Sequence, residues 1–127
     1  MRLSCVIVDD NPGFLAAARQ LLEGQRVDVV GVASTTAEAV ERIAAMRPDV
    51  TLVDVNLGNE SGYDLARRLV AASDGTPTRV ILISTYSQAD LADALPAGST
   101  IPFVSKADLS EAAIRAALGL TTDDNAS

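Results

Sequence analysis

The chain has 127 residues, 48% of them hydrophobic and 21% charged, enough for one domain with its own core and unlike a disordered tail. Asp and Glu number 17 against 10 Lys and Arg, a formal charge of −7, and aromatics are only 3% with no Trp; such a surface repels nucleic-acid phosphates and acidic lipids and lacks a base-stacking platform. The absence of His excludes Ser-His-Asp and Cys-His catalysis, His-ligated zinc and a histidine phosphodonor, while the lone Cys5 excludes an intrachain disulfide and fits a reducing compartment.

Leu3–Val8 is the first of five short apolar runs; the others are Val27–Ala33, Val50–Val53, Val80–Ile83 and Ile101–Val104. They are mostly rich in Val and Ile and lack polar alternation, as strands buried on both faces of a parallel sheet do. After the first run, Asn11-Pro12 supplies an N-cap and a proline at the first helical position. Phe14, Ala18, Leu21 and Leu22 then recur at helical spacing, up to Gly24. After the second run, Thr35 and Glu38 form a capping box, Val40, Ile43 and Ala44 share a face, and Pro48 marks the stop. A third helix is expected on Leu65, Ala66, Leu69 and Val70, stopped near Asp74-Gly75, and a short fourth on Leu91, Ala94 and Leu95. The fifth carries the stripe Leu109, Ala112, Ala113, Ala116 and Ala117. Residues 1–120 read as one domain and residues 121–127 as a polar tail.

Five βα units with right-handed crossovers predict an α/β fold: a doubly wound, parallel, five-stranded sheet of order 2-1-3-4-5. Ligands of such sheets bind at the carboxyl ends of the strands, near strands 1 and 3. No run of about 18 apolar residues is present, and Asp9-Asp10 interrupts the apolar start before a signal-peptide core, so a cytoplasmic location without membrane contact is expected.

The polar residues at those strand ends are chemically telling. Asp9-Asp10 closes strand 1, Asp54 follows strand 3, Ser84 follows strand 4 and Lys106 follows strand 5. Crowded carboxylates repel one another, and a hard divalent cation with oxygen ligands, Mg²⁺, removes the conflict. A carboxylate beside Mg²⁺, an ammonium and a hydroxyl is equipped to accept a phosphoryl group. Singly, each residue reads more plainly as a turn, a cap or a solvated charge. Their joint occurrence at four strand ends carries the inference. Cys5 reads as a small core residue, Gly58, Asn59 and Gly62 as backbone residues of a loop, and Glu60 as solvated.

Together these motifs resemble the receiver domain of bacterial two-component response regulators, over Leu3 to Leu118. The resemblance rests on Asp9-Asp10, Asp54 within Val50-Thr-Leu-Val-Asp-Val-Asn-Leu57, Gly62, Ser84, and Phe103-Val-Ser-Lys106. It implies a CheY-like, flavodoxin-like fold with Asp54 as phosphoacceptor. It implies Mg²⁺ bound by the side chains of Asp10 and Asp54, by the backbone carbonyl of Asn56, and by Asp9 largely through water. Lys106 would hold the phosphoryl group, with Ser84 as switch hydroxyl and Phe103 as switch aromatic.

A sensor histidine kinase is the implied donor. The implied response is a change in the surface of helix 4, strand 5 and helix 5. There Ile114 and Leu118 lie off the expected core stripe, available for a homodimer or another partner. The chain departs from the family's pattern at Gly58 and Ala107, where Pro is usual, and at Thr85, where a smaller residue is usual. The form Phe103 to Leu109 resembles receivers that carry a helix-turn-helix.

Two other readings compete. An aspartate-nucleophile phosphohydrolase of the haloacid-dehalogenase kind needs Asp-x-Asp, but the second position here is Asn56, which cannot act as a general acid. An unphosphorylated interaction module would be favoured by loss of Asp10, Asp54 or Lys106, and all three are present.

Overall fold

The computed structural model describes residues 3–71, 79–85 and 101–119. Its central sheet has five parallel strands: β1 (Leu3–Val8), β2 (Val27–Ala33), β3 (Val50–Asp54), β4 (Arg79–Ser84) and β5 (Phe103–Ser105). The order is β2-β1-β3-β4-β5, as the apolar runs predict. Every residue of β3 is buried, because helices cover both faces of the sheet.

Alternate residues of β1 divide the core. Cys5 and Ile7 face α1 (Pro12–Glu23) and the C-terminal helix (Glu111–Ala117), packing with Leu15, Ala18, Leu22 and Ile114. Val6 and Val8 face α2 (Thr36–Met46) and α3 (Gly62–Ala71), packing with Ala39, Ile43, Leu65 and Ala66.

The helix starts follow local chemistry. Asn11 Oδ1 accepts from the Gly13 and Phe14 N–H groups at 2.9 and 3.2 Å, with Pro12 at the first helical position. Thr35 Oγ1 accepts from the Glu38 N–H at 3.1 Å, while the Glu38 carboxylate accepts from the Ser34 N–H at 2.8 Å. Each such cap contributes about 1 kcal/mol. Arg47 ends α2 in the left-handed region, at φ 47°, ahead of Pro48.

Three helical registers differ from the expected stripes. Leu21, Val40 and Val70 are all more than 40% exposed, and Leu15 and Ala39 are buried instead. In the C-terminal helix, Ala112 and Ala116 are exposed and Ile114 is fully buried. Alanine carries little register information, so the one large side chain decides which face turns inward. Ile114 is therefore a core residue and not a contact surface, and Leu118 is half-buried against the same half of the core. β5 starts two residues later than expected. Pro102 has no N–H for the ladder, although its carbonyl accepts from the Leu82 N–H at 2.9 Å.

The helix expected around Leu91–Leu95, the stop at Asp74-Gly75 and the tail 121–127 lie outside the described residues. Among the described residues, no helix is long and apolar enough to cross a membrane.

Candidate functional site

β1 and β3 lie side by side with Val8 opposite Val53, so their next residues, Asp9 and Asp54, leave the sheet together. Asp9 is fully buried, and its Oδ1 accepts from the Asn11 N–H at 2.9 Å. Asp54 is 8% exposed, and its Oδ1 accepts from the Asn56 N–H at 3.3 Å. Lys106 opens a short 3-10 turn directly after β5. Its Nζ lies 2.6 Å from Asp9 Oδ2 and 3.3 Å from Asp54 Oδ2. Asp10 stands exposed at the rim. One carboxylate oxygen from each of Asp9, Asp10 and Asp54 falls within 4.8 Å of the others.

Ser84 is buried at the end of β4, one residue past the Ile83 that pairs with Asp54. Phe103 is half-buried opposite Leu82 and packs on the α2–α3 half of the core. Asn56 is exposed and opens a short antiparallel hairpin with Ser61 opposite.

Three carboxylates around one ammonium leave an excess of negative charge. Burial raises the pKa of Asp54, and the Asp9 charge raises it further; the Lys106 charge and the Asn56 N–H pull it back without cancelling the rise. For Lys106, burial works against the charged form, yet the contact with Asp9 and the charge of Asp54 outweigh it and its pKa is raised. Asp9 Oδ2 is buried and meets only the ammonium it shares with Asp54 among the described residues. An all-oxygen donor set and surplus negative charge fit a hard divalent cation such as Mg²⁺.

The hairpin that closes this edge has no periodic signal in the sequence. Asn56–Leu57 pairs with Glu60–Ser61 around Gly58, whose φ of 63° suits glycine. A Cβ on Gly58 would stand 3.2 Å from Asp10 Oδ2, so the loop hugs the acidic cluster. A Cβ on Gly62 would stand 1.6 Å from the Asp54 carbonyl oxygen, and only glycine fits behind the end of β3. The Glu60 carboxylate accepts from the Thr36 N–H at 2.8 Å and so ties the hairpin to the start of α2. Glu60 is exposed, as its reading as a solvated residue expects, and this bond gives it a partner 24 residues away in sequence. Phe14, assigned from its spacing to the α1 core stripe, places its ring 4.3 Å from Lys106 Nζ.

The chain matches the response regulator receiver domain family over residues 5–118. It is 33% identical over 96 residues to the DNA-binding transcriptional activator DevR/DosR of Mycobacterium tuberculosis, covering 74% of this chain and 43% of that protein. It is 31% identical over 94 residues to protein-glutamate methylesterase/protein-glutamine glutaminase 3 of Hahella chejuensis, covering 73% of this chain and 26% of that protein. The chain thus spans less than half the length of either relative.

Among solved structures, the signal receiver domain of NarL from Mycobacterium tuberculosis is similar at a TM-score of 0.74 and 31% identity, covering 93% of this chain and 98% of that one. The response regulator domain of Thermotoga maritima CheB is similar at a TM-score of 0.66 and 26% identity, covering 94% and 90%. Receiver domains generally bind Mg²⁺ at an acidic pocket, and histidine kinases are the family's phosphodonors. With its sheet order and its acidic edge, this chain belongs to the response regulator receiver domain family, the phosphoacceptor modules of phosphorelay signalling.

Proposed function

We propose that Asp54 is the phosphoacceptor of this chain, loaded from a sensor histidine kinase in a Mg²⁺-dependent reaction. The observation that carries this reading is the setting of the Asp54 carboxylate. One oxygen accepts from the Asn56 N–H, the other faces Lys106, and the acidic cluster adjoins it. Asp9 is fully buried and Asp10 lies at the rim, so Asp54 alone combines a fixed orientation with partial access.

In the transfer, an Asp54 oxygen forms a bond to phosphorus. The bond from phosphorus to the donor's imidazole nitrogen breaks, and its electron pair returns to the ring. The Lys106 ammonium offsets charge on the phosphoryl oxygens. Asp10, Asp54 and the Asn56 carbonyl would hold Mg²⁺, with Asp9 acting through water. The ion, when bound, supplies charge neutralisation at the phosphoryl oxygens.

The product brings a charge of about −1.5 to −2 and three acceptor oxygens. Ser84, buried at the end of the neighbouring strand, supplies the hydroxyl that answers them. Phe103 is wholly apolar and can turn inward without stranding a polar tip. The face formed by β5 and the C-terminal helix then changes and becomes a surface for a homodimer or another partner. Ile114, being core, anchors that face from beneath. The likeness to DevR/DosR supports transcription as the output. Residues 1–120 form this unit, followed by the polar tail 121–127.

Incubation with acetyl phosphate and Mg²⁺, read by intact mass, tests the reading. The wild type should gain one phosphoryl group and Asp54→Asn none; equal gain by both would refute the assignment. Multiple turnover of added phosphoesters would favour a hydrolase instead.

A further inference from the structure

The structure assigns Phe14 as the positioning residue that holds the Lys106 ammonium in place for phosphoryl transfer. This rests on Asp54 being the acceptor. A lysine side chain is long and flexible, and its charge is a compact point, so something must fix where the charge sits. Here Nζ touches two carboxylates, Asp9 at 2.6 Å and Asp54 at 3.3 Å, and lies over the Phe14 ring at 4.3 Å from its centroid. The negative face of an aromatic ring attracts a cation at this distance.

The backbone that carries the ring is tied to the acidic edge, and the side chain packs against the α1 half of the core. The Asn11 N–H donates to Asp9 Oδ1 at 2.9 Å, and Asn11 Oδ1 in turn accepts from the Phe14 N–H at 3.2 Å. One turn therefore sets both the Asp9 carboxylate and the backbone position of Phe14. The two contacts differ in kind. A carboxylate competes with an incoming phosphoryl oxygen for the ammonium's N–H donors, whereas a ring face attracts the charge and takes no donor in a directed bond. Water in the place of the ring would leave the ammonium held by the two carboxylates alone. A further carboxylate there would hold it away from the phosphoryl group.

The plainer role, packing against the α1 half of the core, predicts that any apolar side chain of similar size will serve. Phe14→Leu and Phe14→Met keep an apolar side chain and lose the ring; Phe14→Tyr keeps the ring. Two measurements separate these roles. The Lys106 side-chain protons should be displaced upfield by the ring current in wild type and Phe14→Tyr, and not in the Leu and Met variants. Initial phosphoryl uptake from acetyl phosphate in excess Mg²⁺, followed by intact mass, should fall roughly three- to thirty-fold in the Leu and Met variants, the range expected for one such contact. Phe14→Tyr should restore it. Wild-type rates in a folded Leu or Met variant would overturn the inference alone, as would a wild-type Lys106 without the ring-current displacement. Absence of uptake by the wild type would overturn the acceptor reading and this inference with it.

Discussion

At the amino end of the sheet, Ser4 and Asp49 exchange two hydrogen bonds. The Ser4 N–H donates to Asp49 Oδ2 at 2.9 Å, and the Asp49 N–H donates to Ser4 Oγ at 2.8 Å. The Asp49 carbonyl also accepts from the Arg79 N–H at 3.1 Å, which ties β4 to the same corner. At the carboxyl end, Asp9 and Asp54 share one ammonium while Asp10 adds a third carboxylate nearby. The first end matches donors to acceptors and joins strands. The second leaves negative charge over among the described residues. Local consistency is given up at the end where the proposed function places a cation and a phosphoryl group.

The largest effect should come from removing the shared cation. Lys106→Met leaves the Asp9 and Asp54 carboxylates facing each other and should cost about 3 kcal/mol at neutral pH without Mg²⁺, measured by urea unfolding. Lower pH should recover part of the loss as Asp54, whose pKa is raised, protonates. Equal stability of wild type and variant would mean that the carboxyl end is not charge-strained.

Next comes Gly62→Ala, which forces a Cβ against the Asp54 carbonyl and should cost about 2–3 kcal/mol by the same measurement. A smaller effect belongs to the amino end. Ser4→Ala should cost about 1 kcal/mol, leaving phosphoryl uptake unchanged. Slower uptake in this variant would show that the two ends are coupled.

The smallest effect has the opposite sign. Folding raises the pKa of Asp54, so the folded state holds that proton more tightly than the unfolded chain does. The contribution of Asp54 is favourable only in acid and is lost as pH rises through the raised value. Asp54→Asn should therefore raise the melting temperature at pH 7 by roughly 2–5 °C. The gain should shrink toward zero as pH falls through the Asp54 pKa. A lower melting temperature for the variant at pH 7 would place the dominant charge effect elsewhere.

Much of this was legible in the sequence, because buried strands and caps are local. The bounds of β1 and β2, the Asn11 cap and the Thr35–Glu38 pair all follow from neighbouring residues. The convergence of Asp9, Asp10, Asp54 and Lys106 was legible because each lies at or just past the carboxyl end of a strand, and a parallel sheet brings those ends together. What escaped depends on distant partners. The Glu60 bond to α2, the close approach at Gly62 and the Phe14 ring over Lys106 have no periodic signature. The C-terminal helix misled because its alanines fit several faces equally well, and Ile114 alone settles its register.

Peptide mapping of the chain after reaction with acetyl phosphate and Mg²⁺ decides whether Asp54 is the acceptor. A single phosphoryl group is expected on the peptide that contains Asp54, formed only when the cation is present. A phosphoryl group on Asp9, Asp10 or any other residue, or uptake unaffected by a chelator, would contradict that expectation.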